Sequence, residues 1–143
     1  MDKIMVRDRQ FSVSIPEEKI KKRVAQVAAQ ISDDLKDQHP LFLAVLNGSF
    51  VFAADLMRGI TTPCEISFVR MASYEGTSST GAVKQLIGLK EDIKDRTVVI
   101  VEDIIDSGLT MQHLLNLLAE KQPRAIHIAA LRANRSVCLC LTC

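Results

Sequence analysis

Three carboxylates, Glu102, Asp103 and Asp106, fall within five positions of the stretch VVIVEDIIDSGLT, residues 98–110. Like charges at that spacing repel, so the cluster becomes useful only where something neutralises it. Glu102 and Asp103 offer oxygens to hydroxyl donors or to a hard cation such as Mg²⁺. Just downstream, Ser107 and Thr110 offer hydroxyls, Gly108 permits a tight turn, and a helix starting near Leu109 would direct free N–H groups outward. Ser107, Gly108, Leu109 and Thr110 therefore form a candidate cradle for a phosphate dianion. A ligand with a phosphate at one end and vicinal hydroxyls close by would satisfy both devices, and ribose 5-phosphate has that shape. Departure of a leaving group from its anomeric carbon gives an oxocarbenium-like transition state, which nearby carboxylates stabilise. Asp106, in the loop, is placed to accept a proton from the incoming nucleophile. Two plainer readings stay open: Glu102-Asp103 as a solvated turn, and Asp106 as a helix N-cap.

Such a cluster needs elements to position it. Ser14 and Glu17 have capping-box spacing, and Ile20, Val24, Val27, Ala28, Ile31 and Leu35 then recur at helical intervals. The apolar run 41–46 predicts a strand buried on both faces. It breaks at Asn47-Gly48-Ser49, and a buried helix is expected from Phe50. Residues 64–72 alternate as a strand does, 73–83 are rich in Gly, Ser and Thr and read as a mobile loop, and VKQLIGL reads as a return strand. Strands are expected at 97–102 and 125–131, with an amphipathic helix over 111–121 between them. The alternation predicts an α/β fold with a mostly parallel central sheet flanked by helices. Ligands in such sheets sit at the carboxyl ends of strands, where Glu102-Asp103 falls.

Composition narrows the partners. The 143 residues suit one domain, with 48% apolar and 24% charged residues. A net charge of +1 gives no field directed at nucleic acid or an anionic membrane, so neither is expected as a partner. The N-terminus has no apolar core of a secretory signal and no run of 18 apolar residues occurs, so a cytoplasmic location is expected. Cys64 stands alone, while Cys138, Cys140 and Cys143 crowd the last six positions in a pattern unlike a secreted disulfide framework.

The string at 98–110 resembles the phosphoribosyl pyrophosphate (PRPP) signature of type I phosphoribosyltransferases, most closely their hypoxanthine-guanine branch. The resemblance runs through about residues 1 to 131, taking in LAVLNGSFVFAADL and SYEGTSSTG. It implies Mg²⁺-dependent transfer of phosphoribosyl from PRPP to an oxopurine base, hypoxanthine or guanine, releasing pyrophosphate. Carried onto matching positions, Glu102 and Asp103 hold the ribose hydroxyls and Mg²⁺, and Asp106 is the base at purine N7. Ser107, Gly108, Leu109 and Thr110 bind the 5-phosphate. Asn47 and Gly48 face pyrophosphate, with a non-proline cis bond at Leu46-Asn47, and Ser73 and Tyr74 belong to a flexible loop that closes over PRPP. The resemblance also implies a homodimer or homotetramer.

After residue 131 the resemblance stops. No lysine follows Lys121 and no aromatic residue follows Tyr74, so the purine-contacting lysine and stacking aromatic of the family's C-terminal hood are not found in these residues. The expected division is a phosphoribosyltransferase core over 1–131 and a non-family tail over 132–143, produced by frameshift or truncation, with impaired purine transfer. A natural short variant and a zinc or disulfide role for the tail cysteines are alternatives. Two rival functions are a non-catalytic module that binds PRPP or nucleotide on the same scaffold, and a receiver-like signalling domain. The latter would carry its acidic pair near the first strand rather than about 100 residues in.

Overall fold

Five consecutive buried residues, Leu41 to Val45, make the strand β3 the centre of the molecule. The computed structural model describes residues 3–74 and 83–133, so Cys138, Cys140, Cys143 and most of the expected loop and tail lie outside the described residues. Before β3 come β1 (Lys3–Val6), β2 (Arg9–Ser12) and α1 (Glu17–Asp34). After it come α2 (Phe50–Gly59), β4 (Glu65–Tyr74), β5 (Val83–Ile87), β6 (Thr97–Ile105), α3 (Leu109–Ala119) and β7 (Ala125–Ala133).

The main sheet has the order β5-β4-β3-β6-β7. β3 pairs parallel with β4 and β6, and β6 with β7, while β5 returns antiparallel along β4. Alternate residues of each strand enter different cores, which is why these strands read as unbroken apolar runs. Phe42, Ala44, Val99, Val101 and Ala129 pack with Val24, Val27, Ala28 and Ile31 of α1 and Phe52, Ala53 and Leu56 of α2. On the opposite face Leu43, Val45, Val69 and Ile100 pack with Met111, Leu114 and Leu118 of α3. The expected α/β fold, a mostly parallel sheet flanked by helices, is the one observed.

Several boundaries differ from expectation, each for a local reason. Ser14 and Glu17 do not form a capping box: Pro16 is the N-cap, and its carbonyl accepts from the amides of Lys19 and Ile20. Proline's fixed φ lets the chain enter the helix there without a side-chain cap. The expected loop over 73–83 is strand at both ends, because Ser73 pairs with Lys84 and Tyr74 with Val83 in the β4–β5 ladder. The antiparallel hairpin β1–β2 has no counterpart in the sequence reading. Its turn carries Arg7 at φ 55 instead of the usual glycine or asparagine, so no turn signal marked it.

Candidate functional site

β6 outruns its neighbour. Its pairing with β3 ends at Ala44–Val101, whereas its own strand continues through Ile105 alongside β7. Glu102 is thus the first residue of β6 past the end of the β3 ladder, and the acidic pair stands at the carboxyl end of the central strands. Both carboxyls are half-buried. Glu102 Oε1 accepts from the Asp103 amide at 3.1 Å, and Asp103 Oδ1 accepts from the Ile104 amide at 2.8 Å. Burial, with a hydrogen bond to and the charge of Asp103, pushes the Glu102 carboxyl up to about 7. The pair is therefore short of positive charge as it stands.

The connection after β3 closes onto the same place. Ser49 is fully buried and its Oγ donates to the Val45 carbonyl at 2.6 Å, while the Phe50 amide donates to the Asn47 carbonyl at 3.4 Å. The peptide bond Leu46-Asn47 is cis, as the resemblance implied. Asn47 and Gly48 are exposed. A Cβ on Gly48 would stand 2.6 Å from Asp103 Oδ2, so a larger residue there would oblige that carboxylate or the loop to shift.

Downstream of β6 the chain turns into α3 through Gly108, which caps the helix in the left-handed region at φ 80. Nothing lies within 4 Å of where its Cβ would project, so the turn opens onto free space. The Gln112 amide donates to the Gly108 carbonyl at 2.8 Å, and the Leu109 amide reaches Ser107 Oγ at 3.4 Å. Leu109 begins α3 and is 74% exposed. A concavity of about 260 Å³ is lined by Glu102, Asp106, Ser107, Gly108, Thr110 and Met111. It joins carboxylates to a helix N-terminus, the combination expected for a ligand that carries both an anion and hydroxyls.

The structure therefore brings Glu102, Asp103, Asp106, Ser107, Gly108, Leu109 and Thr110 to one strand end and sets Asn47 and Gly48 beside them. Ser73 lies at the end of β4, across from Lys84, and Tyr74 is the last described residue of that strand. The sequence reading passed over Lys84. It lies on β5 with its Nζ 3.4 Å from Thr110 Oγ1, and the alternation of VKQLI, which puts Lys84 and Leu86 on one face, was the available signal.

The match to known proteins is broad. The model of the phosphoribosyl transferase domain matches residues 15–137. The hypoxanthine-guanine phosphoribosyltransferase of Dictyostelium discoideum is 41% identical over 124 residues, covering 83% of this chain and 69% of the relative. The hypoxanthine phosphoribosyltransferase of Salmonella typhimurium is 42% identical over 122 residues, covering 83% and 68%. The crystal structure of a hypoxanthine phosphoribosyltransferase from Staphylococcus aureus superposes with a TM-score of 0.77 at 31% identity, covering 87% of this chain and 68% of that one. The chain belongs to the phosphoribosyltransferase family. Within it, these relatives place the chain in the hypoxanthine and hypoxanthine-guanine branch.

Proposed function

We propose that this protein is a purine-salvage enzyme that transfers the phosphoribosyl group of PRPP to hypoxanthine or guanine, giving IMP or GMP and pyrophosphate. The observation that carries this reading is the close approach of Gly48 to the Asp103 carboxylate, which sets the loop after β3 beside the strand end that leads into the phosphate turn. In this reading the turn from Ser107 to Thr110 holds the 5-phosphate, Glu102 and Asp103 face the ribose hydroxyls, and Asn47 and Gly48 face pyrophosphate. The bond from the anomeric carbon to pyrophosphate breaks, its electron pair leaving with pyrophosphate. Purine N9 forms the new bond, and Asp106 takes the proton the base gives up at N7. The carboxylates stabilise the cationic sugar between these events.

The residues present fit Mg²⁺. Among the described residues no group of three or more acidic, histidine or cysteine side chains could enclose a metal. Two adjacent carboxyls, one of them pushed up by burial and then by its neighbour, suit instead a cation that keeps waters and shares its shell with substrate oxygens. When bound, Mg²⁺ would neutralise charge on pyrophosphate and ribose; Glu102 and Asp103 would hold it.

No helix among the described residues is long and apolar enough to cross a membrane. A cytoplasmic location and a homodimer or homotetramer belong to the same reading. So does weak purine transfer by this 143-residue chain, since no lysine after Lys121 and no aromatic after Tyr74 is present to hold the base. A site that does not orient its nucleophile forfeits most of its proximity advantage. The sequence feature that favours weak transfer also favours the second reading, a module that binds PRPP without turning it over.

One experiment separates the outcomes. Melting is followed with and without PRPP and Mg²⁺, and radiolabelled hypoxanthine is then supplied to look for IMP. A raised melting temperature with slow IMP formation, abolished by Asp106→Asn, is expected. Bound PRPP with no IMP at all would favour the binding module. Turnover equal to that of the Salmonella relative would overturn the impairment. No effect of PRPP on melting would sink both readings.

A further inference from the structure

The phosphate turn Asp106-Ser107-Gly108-Leu109-Thr110 contains no cationic side chain and sits beside Glu102 and Asp103. Amide hydrogens and two hydroxyls can grip a phosphate, but three neighbouring carboxylates repel it. A positive side chain from elsewhere in the fold would offset that repulsion. Arg132 shares a smaller concavity of about 120 Å³ with Asp106, Ile104 and Ile105. On the α3 side the charge is Lys84. Two residues along β5, Leu86 packs against the core beneath α3, and strand alternation sets Lys84 on that same face. Its half-buried side chain donates to Thr110 Oγ1 at 3.4 Å, and its backbone carbonyl lies 3.3 Å from His113 Nε2. Both contacts run to the first turns of α3: the backbone contact ties β5 to the helix, and the side-chain contact sets the ammonium beside Thr110.

We propose that Lys84 is a binding residue of this site, its ammonium supplying the countercharge to a phosphate monoester held by Ser107 to Thr110. The inference rests on the reading that the turn binds the 5-phosphate of a ribosyl ligand. It adds a residue on β5, outside the signature, and it assigns the work that a cation within the turn would otherwise do. Lys84 also pairs with Ser73 across the β4–β5 ladder, so the charge stands on the paired strand ends that flank residues 75–82. A phosphate entering the turn meets Thr110 Oγ1 and the Lys84 ammonium together, because the two are already in contact.

The test compares the binding of ribose 5-phosphate by calorimetry to the full chain and to Lys84→Met, Lys84→Gln and Lys84→Arg, at low and high salt. Loss of one charge-assisted contact predicts about tenfold weaker binding for Lys84→Met and Lys84→Gln, with Lys84→Arg close to wild type. The salt dependence of binding should also be shallower in the two uncharged variants. Lys84→Gln keeps a donor for Thr110 without the charge. Wild-type affinity in that variant would show that Lys84 only tethers β5 to α3, and would overturn the proposal, as would wild-type affinity in Lys84→Met. Melting curves identify a variant that has lost its fold, and the arginine variant then decides, since restored affinity supports a charge and continued loss opposes it. If the wild-type chain itself does not bind ribose 5-phosphate, the phosphate reading fails and Lys84 falls with it. Wild-type binding with indifferent Lys84 variants removes Lys84 alone.

Discussion

The carboxyl ends of β3 and β6 and the flank where β7 faces α1 are built to different standards. At the strand ends, the amides of Asp103, Ile104, Leu109 and Gln112 all find acceptors, the Ser49 hydroxyl finds the Val45 carbonyl, and two glycines stand where a side chain would collide or strain. At the flank, His127 Nδ1 on β7 and Arg23 Nε on α1 are buried with no hydrogen-bond partner among the described residues. Among the described residues β7 also forms the end of the sheet, pairing with β6 on one side. Buried polar atoms are normally paired, and an orphan costs free energy that the rest of the fold must offset. One region is thus organised around its own polar groups, while the other presents an edge and unpaired atoms. In the proposed function the phosphoribosyl half of the reaction depends on the first region, and perturbing the second should leave it alone.

The sharpest way to break that comparison is Gly48→Ala. The new methyl would press on Asp103 Oδ2 from 2.6 Å, so either the loop lifts or the carboxylate turns away. Because Gly48 is exposed, the melting temperature should stay close to wild type. PRPP affinity should fall by about 100-fold, since disturbing a hydrogen bond to a charged group costs up to about 3 kcal/mol. Calorimetry with PRPP and Mg²⁺ checks it. Unchanged affinity would mean that the loop after β3 and the acidic pair do not work as one site.

Gly108→Ala should act more weakly and on two observables together. A residue other than glycine at φ 80 costs about 1–2 kcal/mol, which thermal unfolding would register. Relaxing that strain re-aims the turn's amides, and losing one such contact to a phosphate predicts about tenfold weaker ribose 5-phosphate binding. Steric crowding is no confounder, because nothing lies within 4 Å of the added methyl. A stability loss without an affinity loss would detach the turn from the phosphate.

How much of this was visible in the residues divides along the same line. The strand-end site was legible because its parts are contiguous: a buried strand, two acids and a turn fall within 13 positions, and local spacing encodes their geometry. The unbroken apolar runs of β3 and β6 were legible for the same reason. What stayed hidden depends on contacts between segments distant in sequence. Nothing near Gly48 announces that Asp103, 55 positions later, will touch it, and nothing near Lys84 announces Thr110. The β1–β2 hairpin escaped because an Arg-Asp turn carries no standard signal, and its strands bury little: Ile4, Met5 and Phe11 are all more than half exposed. The capping box at Ser14 failed in the opposite way, as a correct local pattern overridden by the chain's entry through Pro16.

The smallest predicted effect sits on the flank and sharpens the contrast by sparing the ligand. Burial holds the His127 imidazole below its usual 6.5, with the nearby charge of Asp34 opposing only in part. A histidine whose folded pKa is depressed binds its proton more readily when the chain is unfolded. Stability is therefore unaffected by His127 well above pH 6.5, and falls as the pH drops through 6.5 toward the folded pKa. His127→Val removes that proton uptake along with the orphaned nitrogen, and valine suits a strand. Denaturant unfolding of both proteins at pH 7.5 and about pH 5 should show a steeper acid loss in the wild type. Glu102 and the other titrating groups are common to both, so they cancel in the difference. Binding of ribose 5-phosphate at pH 7.5 should be the same in the two proteins. If His127→Val weakened it as much as Gly108→Ala does, the flank would be part of the site's support, and the independence of the two regions would be lost.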